Sequence, residues 1–191
     1  MTVESFSDVR AALKHVAGLL RDAGVEYLLA GGLACWARGG PPTEHDVDLV
    51  MTEENAEKAL TVLAAEDLRT EKPPEGWLYK AWINDVLVDL IFSPSGPDTP
   101  EALLTRADEL SVEAVEMKVM TATDVLVTKL SAMHEHHLDY EGALSVARAL
   151  REQVDWAAVS AATAGSPYAK AFFTLVDELG VSSDSTTPAV R

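Results

Sequence analysis

Apolar residues recur at helical spacing near the N-terminus, at Val9, Leu13, Val16, Leu19 and Leu20. Ser5 and Ser7 precede them as candidate N-caps, and Gly24 ends the pattern, which predicts a helix from about Asp8 to Ala23. The period then changes. Val25-Glu26-Tyr27-Leu28-Leu29-Ala30 reads as a short buried strand. Gly31-Gly32 follows at once, and Leu33 to Ala37 reads as a short helix broken by Gly39-Gly40-Pro41-Pro42. A second strand is predicted over Asp46 to Met51. Thr52 then caps a helix from Glu53 to about Ala65, with Ala56, Leu60, Leu63 and Ala64 facing inward.

Two further strands are predicted over Trp77 to Ile83 and Val86 to Phe92. Asn84-Asp85 joins them in a two-residue loop of the kind that favours tight hairpins. Ser93 to Pro97 is a loop, followed by a short helix near Glu101 to Ala107 and a strand near Val112 to Val119. From Thr123 onward the pattern is helical, with segments near Asp124 to Met133, Tyr140 to Gln153, Trp156 to Ala162 and Tyr168 to Leu179. The expected organisation is an α/β core over residues 1–120 and a helical C-terminal subdomain over 121–180. Residues 181–191 are polar enough to read as a disordered tail.

Composition narrows the class. With 48% hydrophobic residues in a chain of 191, there is material for a packed core. The single cysteine, Cys35, rules out an intrachain disulfide framework and suits a reducing compartment. The first residues have neither a basic nor an apolar signal region, and no apolar run is long enough to span a bilayer. The expectation is a cytoplasmic protein with no membrane association. The formal charge of −16, from 31 acidic and 15 basic residues, repels nucleic acid at long range, so an RNA substrate needs a local basic patch.

The acidic residues also carry the candidate chemistry. Asp46 and Asp48 lie two apart on a predicted strand, so both side chains point to one face while Val47 and Leu49 point to the other. Side-by-side carboxylates repel unless a cation lies between them or one is protonated. Asp89 sits in Val86-Leu87-Val88-Asp89-Leu90-Ile91-Phe92, where every neighbour is apolar. An ionised carboxylate buried there is costly unless it is paired or bound to metal. Asp46, Asp48 and Asp89 together could hold two Mg²⁺ ions about 4 Å apart, the arrangement used in phosphoryl transfer. Gly31 and Gly32, between a strand and a helix N-terminus, would let the backbone approach a phosphate.

Taken together, three segments resemble the nucleotidyltransferase superfamily with the DNA polymerase β type core. They are Leu28 to Ala34 with Gly31-Gly32, Thr43 to Val50 with Asp46-Val47-Asp48, and Val86 to Ile91 with Asp89. Within it the chain looks most like the minimal AbiEii and MenT type toxins of bacterial toxin–antitoxin pairs. The resemblance covers about residues 8–150. It implies an α+β nucleotidyltransferase fold, a small mixed sheet flanked by helices and followed by a helical C-terminal half. It also implies Mg²⁺-dependent transfer of a nucleotide from a nucleoside triphosphate such as ATP. Thr128-Lys129-Leu130 and Asp139-Tyr140 match further family elements. By that resemblance Lys129 lies near the nucleotide phosphates and Asp139 is an additional active-site acid. Gly32 stands where many relatives have Ser. Pro41 to His45 stands where many have Arg, leaving Arg38 or His45 to supply positive charge.

The toxin-like resemblance implies tRNA, at its 3′ end, as acceptor and a cognate antitoxin as partner. The acidic balance suits a cationic antibiotic better, as in the aminoglycoside and lincosamide resistance enzymes of the superfamily. Transfer onto a protein uses the same site. A catalytically silent binding module or antitoxin is the alternative of a different class, and three buried carboxylates weigh against it. On pattern alone, Lys129 could also be a lysine snorkelling at a core edge, and Asp139 could be no more than a helix cap. His134-Glu135-His136-His137 lacks the His-Glu-x-x-His spacing, because position 138 is Leu, and reads as a solvated helix end. Trp36, Trp77, Trp82 and Trp156 read as core or pocket wall, and Cys35 as a small buried hydrophobe.

Overall fold

The computed structural model describes residues 5–43 and 46–182. Its elements in chain order are α1 (Phe6–Asp22), β1 (Leu28–Leu29), α2 (Gly31–Ala37), β2 (Val47–Val50), α3 (Glu53–Ala65), β3 (Arg69–Glu71), β4 (Leu78–Ile83) and β5 (Val86–Ile91). They continue as α4 (Pro100–Arg106), β6 (Asp108–Val112), β7 (Val115–Val119), α5 (Ala122–Ser131), α6 (Tyr140–Leu150), α7 (Trp156–Ala162) and α8 (Pro167–Glu178). A turn of 3₁₀-helix, Arg151–Gln153, extends α6. The fold is α+β, with one mixed sheet of seven strands in the order β3-β4-β5-β2-β1-β7-β6.

Alternation along the strands separates the two faces of this sheet. Val47, Leu49, Ala81, Ile83, Val88 and Leu90 are fully buried on the face where α1 and α3 pack. Tyr79, on that same face, donates its hydroxyl to Glu57 of α3 at 2.6 Å. Asp48, Lys80 and Asp89 alternate with these residues and therefore point to the opposite face. There α2 covers β2 and packs in turn on α5. The helices in substantial contact with β4 and β5 are α1 and α3, and Lys80, Trp82 and Leu87 remain partly exposed on the other side.

The helical core around α5 is fixed by polar contacts as well as apolar ones. Asp124, buried in the first turn of α5, accepts from Arg106 Nε at 2.8 Å and from its terminal nitrogen at 2.6 Å. Thr121 caps α5 and also donates to Asp124 at 2.7 Å. This fork joins the end of α4 to the start of α5.

Several expectations need correction. The strand expected over Val112 to Val119 is a hairpin, β6 and β7, closed by Glu113-Ala114 with φ of 52° and 61°. These residues lack the Asn and Gly that usually announce such a turn. The Asn84-Asp85 turn forms as expected, with φ of 50° and 69°. The edge strand β3 escaped the pattern because Arg69-Thr70-Glu71 is polar throughout. The strand expected over Val25 to Ala30 pairs only at Leu28 and Leu29. Ala64 points outward rather than inward, and Trp77 is 42% exposed rather than in a wall. The histidine run lies beyond α5 in an exposed turn closed by backbone bonds between His134 and His137. Val181, expected in the tail, is buried, and its amide donates to Val176 O. Residues 183–191 lie outside the described residues.

Asp124→Ala should lower stability by about 2–3 kcal/mol, since it removes charge-assisted bonds and leaves the Arg106 fork without its buried acceptor. Urea unfolding checks this, and a change below about 0.5 kcal/mol would show that the fork contributes little.

Candidate active site

The site begins with strand register. Parallel pairing of β2 and β5 sets Asp48 directly opposite Asp89, and antiparallel pairing of β5 and β4 sets Asp89 opposite Lys80. Asp46 lies one residue before β2. One carboxylate oxygen from each of Asp46, Asp48 and Asp89 lies within 4.8 Å of the other two. Asp89 is 8% exposed, and its Oδ1 is buried with no hydrogen-bond partner among the described residues.

The electrostatics of this cluster are unfavourable by themselves. Two unit charges at that spacing repel by roughly 3 kcal/mol at an effective dielectric of about 20. Three such pairs approach the whole stability of a small domain, about 5–15 kcal/mol. The carboxyl groups respond accordingly. Burial, reinforced by Asp46 and Asp89, pushes Asp48 up to about 7, against a small opposing pull from Lys129. Burial, then Asp46, push Asp89 up to about 6, while Lys80 pulls the other way. The donor set fits a hard divalent cation. It is all oxygen, it carries excess negative charge, and it includes a buried oxygen with no partner. Oxygen ligands at about 2.1 Å from two ions span this separation, whereas a single ion bridges at most about 4.2 Å.

Gly31 follows from the same cluster. Its φ is +57°, and a Cβ there would lie 1.8 Å from Asp48 Oδ2. A side chain at 31 would therefore displace the carboxylate. A Cβ on Gly32 would lie 2.8 Å from Thr43 Oγ1. Close approach of side chains already explains both glycines. The phosphate cradle expected at Gly31 and Gly32 is not needed to account for either glycine. Both open the N-terminus of α2, on the Asp48 side of the cluster.

Lys129 and Asp139 meet across the α5–α6 connection. Lys129 Nζ lies 3.2 Å from Asp139 Oδ2. Asp139 also caps α6, accepting from the Gly142 amide at 2.9 Å. Burial raises its carboxyl group, but the Gly142 amide and Lys129 outweigh this and hold it below its ordinary value. Asp139 is thus a cap and an ion-pair partner together. The Lys129 charge is felt at Asp48 and at Cys35, which is buried and whose thiol burial pushes up.

Two charged residues stand differently from expectation. Arg38 is unavailable to a phosphate group. Its Nε donates to Met120 O at 2.6 Å, and its terminal nitrogen donates to Val119 O and Asp108. Its side chain is 8% exposed, so this arginine joins α2 to the β6–β7 hairpin. His45 and Glu44 lie outside the described residues. Lys80, on the other hand, was missed. The signal was present, because a two-residue turn at Asn84-Asp85 pairs 83 with 86 and therefore 80 with 89.

The model of a known family, described as nucleotidyl transferase of unknown function (DUF2204), matches residues 9–160. The chain belongs to this family. It is a nucleotidyltransferase, and nucleotides are substrates of this class of enzyme. No curated protein matches it. Among solved structures it is similar to the antibiotic-resistance factor ANT(2'')-Ia, with TM-score 0.62 and 13% identity over 92% of this chain and 98% of that one. It is also similar to an antigenic nucleotidyltransferase-like protein from Paracoccidioides brasiliensis, with TM-score 0.54 and 14% identity over 92% and 94% of the two chains. A third similar structure is the lincosamide antibiotic adenylyltransferase LnuA, with TM-score 0.52 and 13% identity over 71% and 94%. At these identities the likeness is one of fold. No helix among the described residues is long and apolar enough to cross a membrane.

Two predictions follow from the carboxylate cluster. Between the ordinary aspartate value of 3.8 and the raised values of about 6 and 7, the folded chain binds more protons than the unfolded one. Stability without metal should therefore fall as pH rises from about 4 to 7, and added Mg²⁺ should flatten that slope. Thermal unfolding in chelator and in Mg²⁺ reads both effects, and a rising curve in chelator contradicts them. Gly31→Ala should lose at least about 1–2 kcal/mol from the left-handed backbone alone and should also abolish the Mg²⁺-dependent rise in Tm. An unaltered response to Mg²⁺ would show that Asp48 does not need the space at Gly31.

Proposed function

We propose that Asp46, Asp48 and Asp89 form the active site of a Mg²⁺-dependent nucleotidyltransferase that moves a nucleoside monophosphate from a nucleoside triphosphate onto an acceptor hydroxyl. The observation that carries this reading is the cluster itself, three carboxylates within 4.8 Å with one buried oxygen unpartnered. Bound divalent ions, two in the arrangement expected from the sequence, supply charge neutralisation for the triphosphate and activation of the acceptor oxygen.

The chain's own groups then divide the work. Asp46 and Asp48 hold the metal. Gly31 and Gly32, at the N-terminus of α2, leave room for phosphates beside Asp48. Lys129 steadies those phosphates from α5, and Asp139 orients Lys129 through their ion pair. Asp89, at the β5 end of the cluster, takes the proton of the attacking hydroxyl, a role suited to a carboxylate whose buried oxygen has no partner among the described residues. The acceptor oxygen bonds to the α-phosphorus, the bond to the bridging oxygen breaks, and pyrophosphate leaves on the side away from Asp89. The division into a catalytic core over 1–120 and a helical part over 121–180 that completes the site is part of the same proposal, since Lys129 and Asp139 both belong to the latter.

An RNA acceptor, with the tRNA 3′ end and a toxin role paired to an antitoxin, is the finer reading implied by the sequence. An antibiotic acceptor has the support of the fold shared with ANT(2'')-Ia and LnuA. Incubation with Mg²⁺, labelled nucleoside triphosphates, and either total tRNA or an aminoglycoside and a lincosamide separates them. Labelled product should require Mg²⁺ and should fall at least 10³-fold in Asp48→Ala, on the scale of losing a group that acts in the transition state. Product that persists in Asp48→Ala, or Mg²⁺-dependent nucleotide binding absent from the wild type, would falsify the assignment.

A further inference from the structure

Two lysines flank the carboxylate cluster from opposite sides. Lys129 reaches it from α5 and is felt at Asp48, whereas Lys80 reaches it from β4 and is felt at Asp89. Lys129 already has Asp139 as partner at 3.2 Å. Lys80 forms no ion pair with any described residue, and its resolved electrostatic neighbour is Asp89.

The surface around Lys80 is open. Pairing across four strands sets Glu71, Lys80, Asp89 and Asp48 in one row on the face opposite α1 and α3. The adjacent row holds Arg69, Trp82 and Leu87. The Arg69 guanidinium stacks 3.9 Å over the Trp82 ring, and Glu71 pairs with Arg69 at 3.6 Å. Glu71 is thereby engaged at the sheet edge rather than with Lys80. Directly opposed residues in an antiparallel pair have Cβ atoms about 5 Å apart. A group held by Lys80 therefore lies one strand away from a group held by Asp89. Divalent ions would neutralise the carboxylates and leave Lys80 as the uncompensated charge on this side.

This inference rests on the nucleotidyl-transfer reading above, in which Asp89 faces the acceptor. We propose that Lys80 is the acceptor-side specificity residue, and that the acceptor carries an anionic group, a phosphate or carboxylate, within a few bonds of the hydroxyl that is modified. The flat Trp82 and Leu87 surface beside it accepts the rest of such a molecule. A polycationic acceptor is disfavoured by the same lysine. A nucleic-acid end and a small phosphate ester share this chemistry.

The test uses the full chain loaded with Mg²⁺ and the α,β-methylene analogue of the triphosphate it binds, so that the triphosphate site is filled. Calorimetric titration with glycerol 3-phosphate, glycerol, total tRNA and tobramycin then reads the acceptor side. Glycerol 3-phosphate, tRNA or both should bind at least tenfold more tightly than glycerol and tobramycin. Which of the two binds identifies the source of the anion. Lys80→Ala should remove that preference while leaving affinity for the analogue unchanged, Lys80→Arg should restore it, and Lys80→Glu should shift preference toward tobramycin. Equal binding of glycerol and glycerol 3-phosphate with no tRNA binding, or a preference undiminished in Lys80→Ala, overturns the proposal. So does a Lys80→Ala variant in which only the pH profile of transfer moves, because Lys80 then serves Asp89 alone. Failure of the wild type to bind the Mg²⁺-analogue is a different result, since it removes the nucleotidyl-transfer reading on which the proposal stands.

Discussion

Mutual repulsion among Asp46, Asp48 and Asp89 is the constraint that the surrounding structure is built to contain. Left ionised and unpaired, the three groups would cancel much of the stability of a domain this size. The sheet holds them together regardless. The parallel register of β2 and β5 admits no slip, because a shift by one residue would turn Val47, Leu49, Val88 and Leu90 out of a face where all four are fully buried. Apolar burial on one face thus supplies the energy that keeps charge crowded on the other. Gly31 gives way by having no side chain, and two lysines stand at the margins without closing on the carboxylates.

The same arrangement links the helical half to the cluster. Lys129 is positioned by α5, and α5 is anchored at its first turn by the Arg106 fork onto Asp124. Arg38 joins the far end of α2 to the β6–β7 hairpin, so α2 is held at its C-terminus as well as at its N-cap, where the Ala30 amide donates to Asp48 O at 2.9 Å. A positive charge that could have served a phosphate is used for framework instead. That leaves Lys129 and Lys80 as the cations felt at the cluster among the described residues.

Much of this was legible in the sequence because it rests on local rules. Alternation put Asp46 and Asp48 on one face, and the apolar neighbours of Asp89 marked it as a carboxylate in need of a partner. The Asn84-Asp85 turn was readable from its residues, and it implies the pairing of 80 with 89 that the structure shows, although Lys80 was not picked out from it. The parts that were not legible depend on distant pairing or on unremarkable residues. The strands β3 and β6 lie at the two edges of the sheet; β3 is polar throughout, and β6 has only Leu110 and Val112 as apolar positions, too short an alternation to reveal it. Glu113-Ala114 adopts a left-handed turn with none of the residues that favour one. The Arg106–Asp124 fork joins residues 18 apart on different helices, a contact that no periodicity encodes.

The overall charge of −16 looked like an argument about the acceptor, but its placement changes what it means. The net figure governs long-range approach, where screening limits its reach to about 8 Å at physiological salt. At contact distance the deciding charges are those within a few ångströms of the reacting groups. On the proposed acceptor side these are the carboxylates, which a bound metal would neutralise, and Lys80, which among the described residues has no ion-pair partner to neutralise it. An acidic protein can therefore present a locally cationic acceptor surface. Its negative exterior would slow the encounter with an anion without weakening the contact once it is made. Such an enzyme should show acceptor binding that strengthens in its on-rate as salt rises, the reverse of a basic nucleic-acid-binding domain.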